Sequence, residues 1–348
     1  MGNVIPLKKE AKNSYFELKN YFEKEIEKVD TKIFHKLDSD VKLVQKLTDH
    51  HFSSKGKKIR ALLTLGSAKL CSNVIDDRSI NLAACVELIH NATLMHDDVI
   101  DNGQVRRGIK TTNKIWGNHS SILVGDYLLS RCFEMMVVDG SIEILKLLSS
   151  TSSKIAQGEV LQLEHKGEVD LLEDIYFQII NWKTASLFAA STRVGACIAN
   201  KSRKEKDALE AYGRNLGIAF QIADDALDYY SEENVFGKKN GKDFFEGKVT
   251  LPVILLYEKS NENERVLLKS IFKKIKRTHE DLKLVTSLMK KYKSIDECFK
   301  RGEHFSNLSF DALKIFRPSA EKISYKILYL FVLIEIIKDT KVPYSIDS

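Results

Sequence analysis

Between Pro6 and Pro252 this chain of 348 residues contains no proline, and only four prolines occur in all. Inside a helix, proline removes a backbone donor and clashes with the preceding turn, at a cost of about 3 kcal/mol or more. An interval without one can therefore carry long, unbroken helices. Apolar residues recur there at helical spacing over 79–101, 121–138, 142–163, 174–199 and 206–230, and again over 251–258, while alternating strand patterns are scarce. The pattern predicts an all-α fold. Ser79 reads as an N-cap and Gly103 as the stop of the 79–101 helix.

Two of these helices end in the same acidic spacing. His96-Asp97-Asp98-Val99-Ile100-Asp101 places three carboxylates within about one turn, and Asp224, Asp225 and Asp228 in QIADDALDYY repeat the D-D-x-x-D pattern. A single cluster would pass as a solvated acidic turn. Two of identical spacing point elsewhere, because the first and last acid of each lie on one helical face. A hard divalent cation relieves the repulsion, and an all-oxygen donor set favours magnesium over zinc. The two clusters make most sense facing one another, so residues 1–348 are expected to form one large domain.

With 43% hydrophobic and 29% charged residues, the chain has enough apolar material for a sizeable core. Its net charge of +6 is small for this length and dispersed, so no nucleic-acid partner is expected. The basic run KSIFKKIKR at 269–277 carries Ile271, Phe272 and Ile275 at helical spacing and reads as the solvated face of a packed helix. Cys71, Cys85, Cys132, Cys197 and Cys298 show neither metal spacing nor a paired framework, which suits reduced thiols and a cytoplasmic location. The apolar stretch at 327–337 is too short to span a bilayer and includes Glu335, so it is expected to be a buried C-terminal helix. At most a peripheral membrane contact is anticipated. FGKKNGKDFFEGK, after the second acidic helix, reads as a loop; it lacks the Walker arrangement, and neither a dinucleotide fingerprint nor a nucleophile elbow occurs in the chain.

Cations gather beside the acids in sequence: Lys57, Lys58 and Arg60 in GKKIRA, Arg106 and Arg107, Lys183 in NWKTAS, and Lys238 and Lys248. Cations together with metal-bearing carboxylates suit a polyanion. Apolar helices leading into the acidic turns suit a hydrophobic tail.

Taken in order, GKKIR, HDDVIDNGQVRRG, QIADDALDYY and GKKNGKDFFEGKVTLP resemble the trans-isoprenyl diphosphate synthases, in their polyprenyl branch, over roughly residues 50–260. The resemblance implies a helical bundle around a deep central cavity, magnesium as cofactor, a homodimer, and head-to-tail condensation of isopentenyl diphosphate onto an allylic diphosphate. It makes Asp97, Asp101 and Asp224 metal ligands, with Asp98, Asp225 and Asp228 as ligands or their supporting partners. Arg106, Lys183, Lys238 and Lys248 would hold the allylic diphosphate, and Lys57, Arg60, His90 and Arg107 that of isopentenyl diphosphate. Thr184 and Gln221 would offer oxygen dipoles to the allylic cation. On bare residue chemistry, His90 could equally be an interior histidine, and Thr184 and Gln221 could bond backbone carbonyls. Lys58 and Ala61 stand where the family often has Arg and Pro, and the C-terminal IEIIKDTK lacks an arginine that many relatives carry.

Product length, by the same resemblance, depends on Thr93 and Ala92, four and five residues before the first acidic motif. Both are small, which implies long products of about the octaprenyl class, as for a quinone side chain. Met135, Met136 and Phe133 could be core or cavity floor, with Met136 the candidate floor residue. A shorter-chain synthase and a non-catalytic subunit of a heteromeric synthase are the alternatives. A terpene cyclase would not need GKKIR, and an HD-type phosphohydrolase leaves the second acidic motif unexplained.

Overall fold

The computed structural model describes residues 19–54, 56–230 and 241–316. Its elements are α1 (Glu23–Lys36), α2 (Lys42–Ser53), α3 (Ile59–Ser72), α4 (Asp77–Ile100), β1 (Val105–Arg106), β2 (Ile109–Lys110), α5 (Thr112–Trp116), α6 (Asn118–Asp139), α7 (Ile142–Glu164), α8 (Glu173–Ile180), a π-turn (Asn181–Ala185), α9 (Ser186–Ile198), α10 (Arg203–Tyr230), α11 (Lys242–Glu246), α12 (Leu251–Lys259), α13 (Glu262–Phe272), α14 (His279–Tyr292), α15 (Ser294–Ala312) and a 3₁₀ turn (Leu313–Ile315). The all-α expectation holds; β1 and β2 are the sole strands among the described residues. No helix among these residues is long and apolar enough to cross a membrane. The stretch at 327–337 and IEIIKDTK lie outside the described residues.

The chain divides into two compact units, one comprising Glu17–Ser152 with Leu187–Gly213, the other including 153–186, 214–230 and 241–316. In the first, α4 and α6 run antiparallel along their whole length. Ser121 donates to Met95 O at 3.1 Å, the Cys132 thiol to Cys85 O at 3.4 Å and Asn81 to Met135 O at 3.4 Å. Gly125 is glycine because a Cβ there would come within 2.3 Å of the His96 ring. The N-cap of α4 is Asp76, three residues before the expected Ser79, because Asp76 Oδ1 accepts both the backbone N–H and the hydroxyl of Ser79. At its other end Asn102 takes the left-handed conformation (φ 49°) and the Gly103 N–H returns to Asp98 O at 2.8 Å, a Schellman closure one residue earlier than a Gly103 cap.

The second unit buries Tyr176, Ile180, Ile222, Phe244, Leu251, Val253, Ile254, Leu255, Leu256 and Phe272 in one cluster. Pro252 falls in the first turn of α12, where its missing N–H costs nothing. Two expectations are corrected here. The 174–199 helix is interrupted by the π-turn, in which the Ser186 N–H reaches back five residues to Asn181 O. In the basic run, α13 stops at Phe272, so Ile271 and Phe272 are buried while Ile275 stands wholly in solvent. The loop expected over 236–248 contains the short helix α11, and its 236–240 portion lies outside the described residues.

Candidate active site

In the first unit the turn that ends α4 leads into a two-residue hairpin. Val105 pairs with Lys110 and Arg106 with Ile109, while Arg107 (φ 50°) and Gly108 (φ 83°) make the connection, two positive φ values as a type I′ turn requires. That turn returns Arg106 to Asp98, which accepts from Nε at 3.0 Å and Nη2 at 2.8 Å. Gly103 leaves room for this pair, since a Cβ there would sit 2.9 Å from Asp98 Oδ1. Asn113 donates to Asp98 O at 3.0 Å and to Gly103 O at 3.2 Å, tying the hairpin to the acidic turn. Asp98 is thus buried and paired, while Asp97 and Asp101 are half-buried.

A crowd of cations lies beside this pair. Arg60 opens α3, and its guanidinium stacks over Phe188 at 4.7 Å. Burial depresses it to about 10, Glu87 opposes the fall, and Arg107 adds to it. His90 is pushed well below the ordinary imidazole range by desolvation and then by Arg60, Arg107, Arg106 and His51. His51 Nε2 donates to Asn91 Oδ1 at 3.0 Å: the Asn91 amide nitrogen is committed to Glu87 O at 2.7 Å, so Oδ1 faces His51 and Nε2 carries the proton. Burial pushes His51 down to about 4, against the Asn91 bond and aided by Arg106 and Arg107. The Arg107 guanidinium lies against Gly56, where a Cβ would come within 2.7 Å. Buried Glu87 accepts the Ala61 N–H at 3.1 Å and is the counter-charge to Arg60. Three of the residues anticipated to hold isopentenyl diphosphate, Arg60, His90 and Arg107, therefore share one neighbourhood with Arg106. Lys57 is exposed, and Lys58 is turned to Asp30 at 2.7 Å.

The second unit holds a connected polar chain. Thr184 donates to Gln221 Oε1 at 2.8 Å, Gln221 Nε2 donates to Asp225 Oδ1 at 2.8 Å, and the Tyr176 hydroxyl donates to Asp225 Oδ2 at 2.7 Å. Desolvation drives Asp225 up to about 7 against those two bonds, with Asp224 and Asp228 adding to the rise. Asp228 rises to about 6 from desolvation, although it accepts the backbone N–H groups of Asp243 at 2.8 Å and Lys242 at 3.1 Å. Asp224 is exposed. Lys183, in the π-turn, donates to Gln162 Oε1 at 3.0 Å and pairs with Glu159. Lys248 pairs with Glu246 at 2.9 Å, and Lys238 lies outside the described residues.

Among the described residues no three His, Cys, Asp or Glu side chains form a ready metal cage. The chemistry of the donor set still suits a hard divalent cation: the acids of each turn are oxygen donors, and those at 224–228 raise one another's proton affinity. Residues that spacing alone did not single out are His51, Glu87, Tyr176, Glu159 and Gln162. Glu87 could have been found three residues before His90 on the same helical face, whereas the others arrive from separate elements.

Of the chain-length candidates, Ala92 and Met136 are buried in the first unit, and Thr93 is half-buried with its hydroxyl on His90 O at 2.7 Å. Met135 is buried too, while Phe133 is exposed.

The description "Polyprenyl synthetase" belongs to the family whose profile matches residues 41–289. An octaprenyl diphosphate synthase of Haemophilus influenzae is 33% identical over 91% of this chain and 95% of its own. A decaprenyl diphosphate synthase of Rhodobacter capsulatus superposes with a TM-score of 0.88 at 34% identity, covering 94% of this chain and all of that one. A polyprenyl synthase of Caulobacter crescentus CB15, solved with calcium and isoprenyl diphosphate, superposes at 0.86 with 36% identity over 92% of this chain and 97% of its own.

Proposed function

Because the chain belongs to the polyprenyl synthetase family and is a prenyltransferase, we propose that it is an all-trans, long-chain polyprenyl diphosphate synthase. It condenses isopentenyl diphosphate head-to-tail onto an allylic diphosphate such as farnesyl diphosphate, with residues 1–348 acting as one catalytic domain. The observation that carries this reading is the gathering of the Arg60, Arg106 and Arg107 cations around His90, beside the acidic turn at 97–101. A diphosphate supplies the negative charge that such a crowd lacks. The diphosphate and calcium bound to the Caulobacter relative agree with that chemistry.

Asp97, Asp101 and Asp224 would hold magnesium, with Asp98, Asp225 and Asp228 supporting them through the bonds described above. Bound magnesium would draw charge from the allylic diphosphate and make it a better leaving group. Lys57, Arg60, His90 and Arg107 hold isopentenyl diphosphate; Arg106, Lys183, Lys238 and Lys248 serve the allylic partner. Arg106 also keeps Asp98 in place, and Lys183 must exchange Glu159 for phosphate oxygens. Thr184 and Gln221 turn oxygen dipoles toward the allylic cation, and fixed dipoles stabilise charge without presenting a nucleophile able to trap it. The isopentenyl double bond then attacks, and the departed diphosphate takes the proton.

Small Ala92 and Thr93 favour a product of about octaprenyl length, suited to a quinone side chain, with Met136 as the floor. Homodimer formation in the cytoplasm accounts for the exposed apolar residues Leu123, Phe133, Val137 and Val138 on α6. The test is direct: purified protein, magnesium, farnesyl diphosphate and labelled isopentenyl diphosphate, with extracted products sized by chromatography. Long all-trans products support the reading; absence of condensation, or products no longer than geranylgeranyl, overturns it.

A further inference from the structure

The four residues Lys273-Lys274-Ile275-Lys276, between α13 and α14, are all exposed, and Ile275 is 103% exposed. The segment is braced from behind. Buried Arg277 donates to Phe272 O and to Phe245 O, and its guanidinium lies 5.3 Å from the Phe272 ring centre and 5.9 Å from that of Phe244. On the far side Thr278 and Asp281 close a capping box at the start of α14, and Lys274 reaches Asp281 at 2.6 Å. Both ends are therefore fixed, and the tip displays a large aliphatic side chain between Lys273 and Lys276.

Its place in the second unit is also defined. Arg277 lies against Gly247, where a Cβ would fall 2.8 Å from Nη2, and it holds Phe245 O at the end of α11. The first N–H groups of α11 are held by Asp228. One short helix thus joins the displayed tip to the second acidic turn.

We propose that the 273–276 loop docks the protein on an anionic lipid bilayer, with Ile275 entering the interface and Lys273 and Lys276 drawn to headgroup phosphates. A lone apolar side chain flanked by lysines matches such a surface, which offers an apolar layer beneath a negative one. An acidic protein or a nucleic acid matches the lysines but leaves Ile275 without a role. The benefit of docking rests on the long-chain reading above, since a long prenyl tail enters water poorly; the docking itself does not.

Flotation of the full chain with phosphatidylcholine vesicles, with and without phosphatidylglycerol, tests the proposal without requiring turnover. Binding is expected only to the anionic vesicles and is weakened by salt. Lys273→Gln and Lys276→Gln should each weaken it about fivefold, and Ile275→Asn about tenfold. Condensation of soluble farnesyl diphosphate by each variant should equal that of the wild type, so loss of docking and loss of synthase activity are read separately. Wild-type protein that ignores anionic vesicles at low salt overturns the proposal. So does Ile275→Asn protein that binds them as wild type does, which would reduce the loop to a polyanion patch able to retain duplex DNA equally well.

Discussion

The Tyr176 hydroxyl donates to Asp225 Oδ2 at 2.7 Å from α8, while Gln221 occupies the other carboxylate oxygen from one turn earlier on α10. Both oxygens of a buried acid are thereby aimed by the protein. Tyr176→Phe keeps the ring in its buried site and deletes only the donor. An unsatisfied buried acceptor costs about 1–3 kcal/mol, so urea unfolding should show a loss in that range. Turnover should fall as well, because Asp225, left with Gln221 as its one side-chain donor of the pair, is released from one side, and Gln221, which accepts from Thr184 at 2.8 Å, then bonds a less firmly held partner. Wild-type stability in the variant would show that water replaces the hydroxyl.

Lys183 is placed by a close approach of backbones. A Cβ at Gly158 would lie 2.8 Å from Lys183 N, so α7 rests directly on the π-turn and brings Glu159 and Gln162 to the lysine. Gly158→Ala should cost about 1–3 kcal/mol by overpacking and raise the KM for the allylic diphosphate more than that for isopentenyl diphosphate. Steady-state kinetics with each substrate varied in turn checks the asymmetry; equal changes in both would mean that the turn shifts as a whole.

Acidification should loosen the first unit. His51 has a folded-state pKa of about 4, below the ordinary 6.5, and His90 is depressed as well. Above pH 6.5 both are neutral whether folded or unfolded and contribute no pH dependence. As the pH falls from 6.5 toward 4 the unfolded chain takes up protons that the folded chain refuses, so stability declines. For His51 the full loss is at most about 3 kcal/mol at ~1.36 per unit, and solvent screening reduces it. Denaturant unfolding at pH 7 and pH 5 should show a smaller decline in His51→Gln than in the wild type.

The proline-free interval and the acidic repeat made the helices and the two acidic turns legible, because both are local: a helix end and its carboxylates lie in one stretch of chain. The π-turn was not legible. One extra residue in a turn leaves no mark in NWKTA, and its position follows from contact with Gly158 far away in sequence. The same holds for His51, Tyr176 and Glu159, each carried to its partner by packing of separate helices. The hairpin was hidden by its brevity, since two residues per strand are too few to show alternation. The basic run misled because Ile275 keeps helical spacing after the helix has ended.

Removing an acid should separate chemistry from folding. Asp97→Ala and Asp224→Ala should lower turnover far more than folding stability, with turnover falling at least a hundredfold, about 2.7 kcal/mol in barrier. Activity titrated against magnesium would check the cause, with folding followed by circular dichroism. Near-normal turnover in the folded variants would remove both residues from the metal site. Arg107→Ala should likewise weaken use of isopentenyl diphosphate, and Lys238→Ala that of the allylic partner; the reverse pattern would exchange the two assignments.

Product length gives the last prediction, and Ala92 and Thr93 make it different at each position. Ala92 has no accessible surface in the first unit, whereas Thr93 is half-buried and its hydroxyl is bonded to His90 O within the helix. A phenylalanine at 92 must displace packed neighbours at about 1–3 kcal/mol, while one at 93 gives up only a local hydroxyl bond and extends into space that is already partly open. If that space receives the growing tail, each isoprene unit enters it at roughly 0.8 kcal/mol per buried methylene-sized group, and a ring there ends elongation early. Thr93→Phe should therefore fold as the wild type does and release products shortened toward farnesyl or geranylgeranyl length, while Ala92→Phe should shorten products and lose stability together. Chromatographic sizing beside thermal unfolding separates the cases: wild-type products from a folded Thr93→Phe protein would place the tail elsewhere, and an Ala92→Phe protein that loses stability without shortening its products would make Ala92 a packing residue.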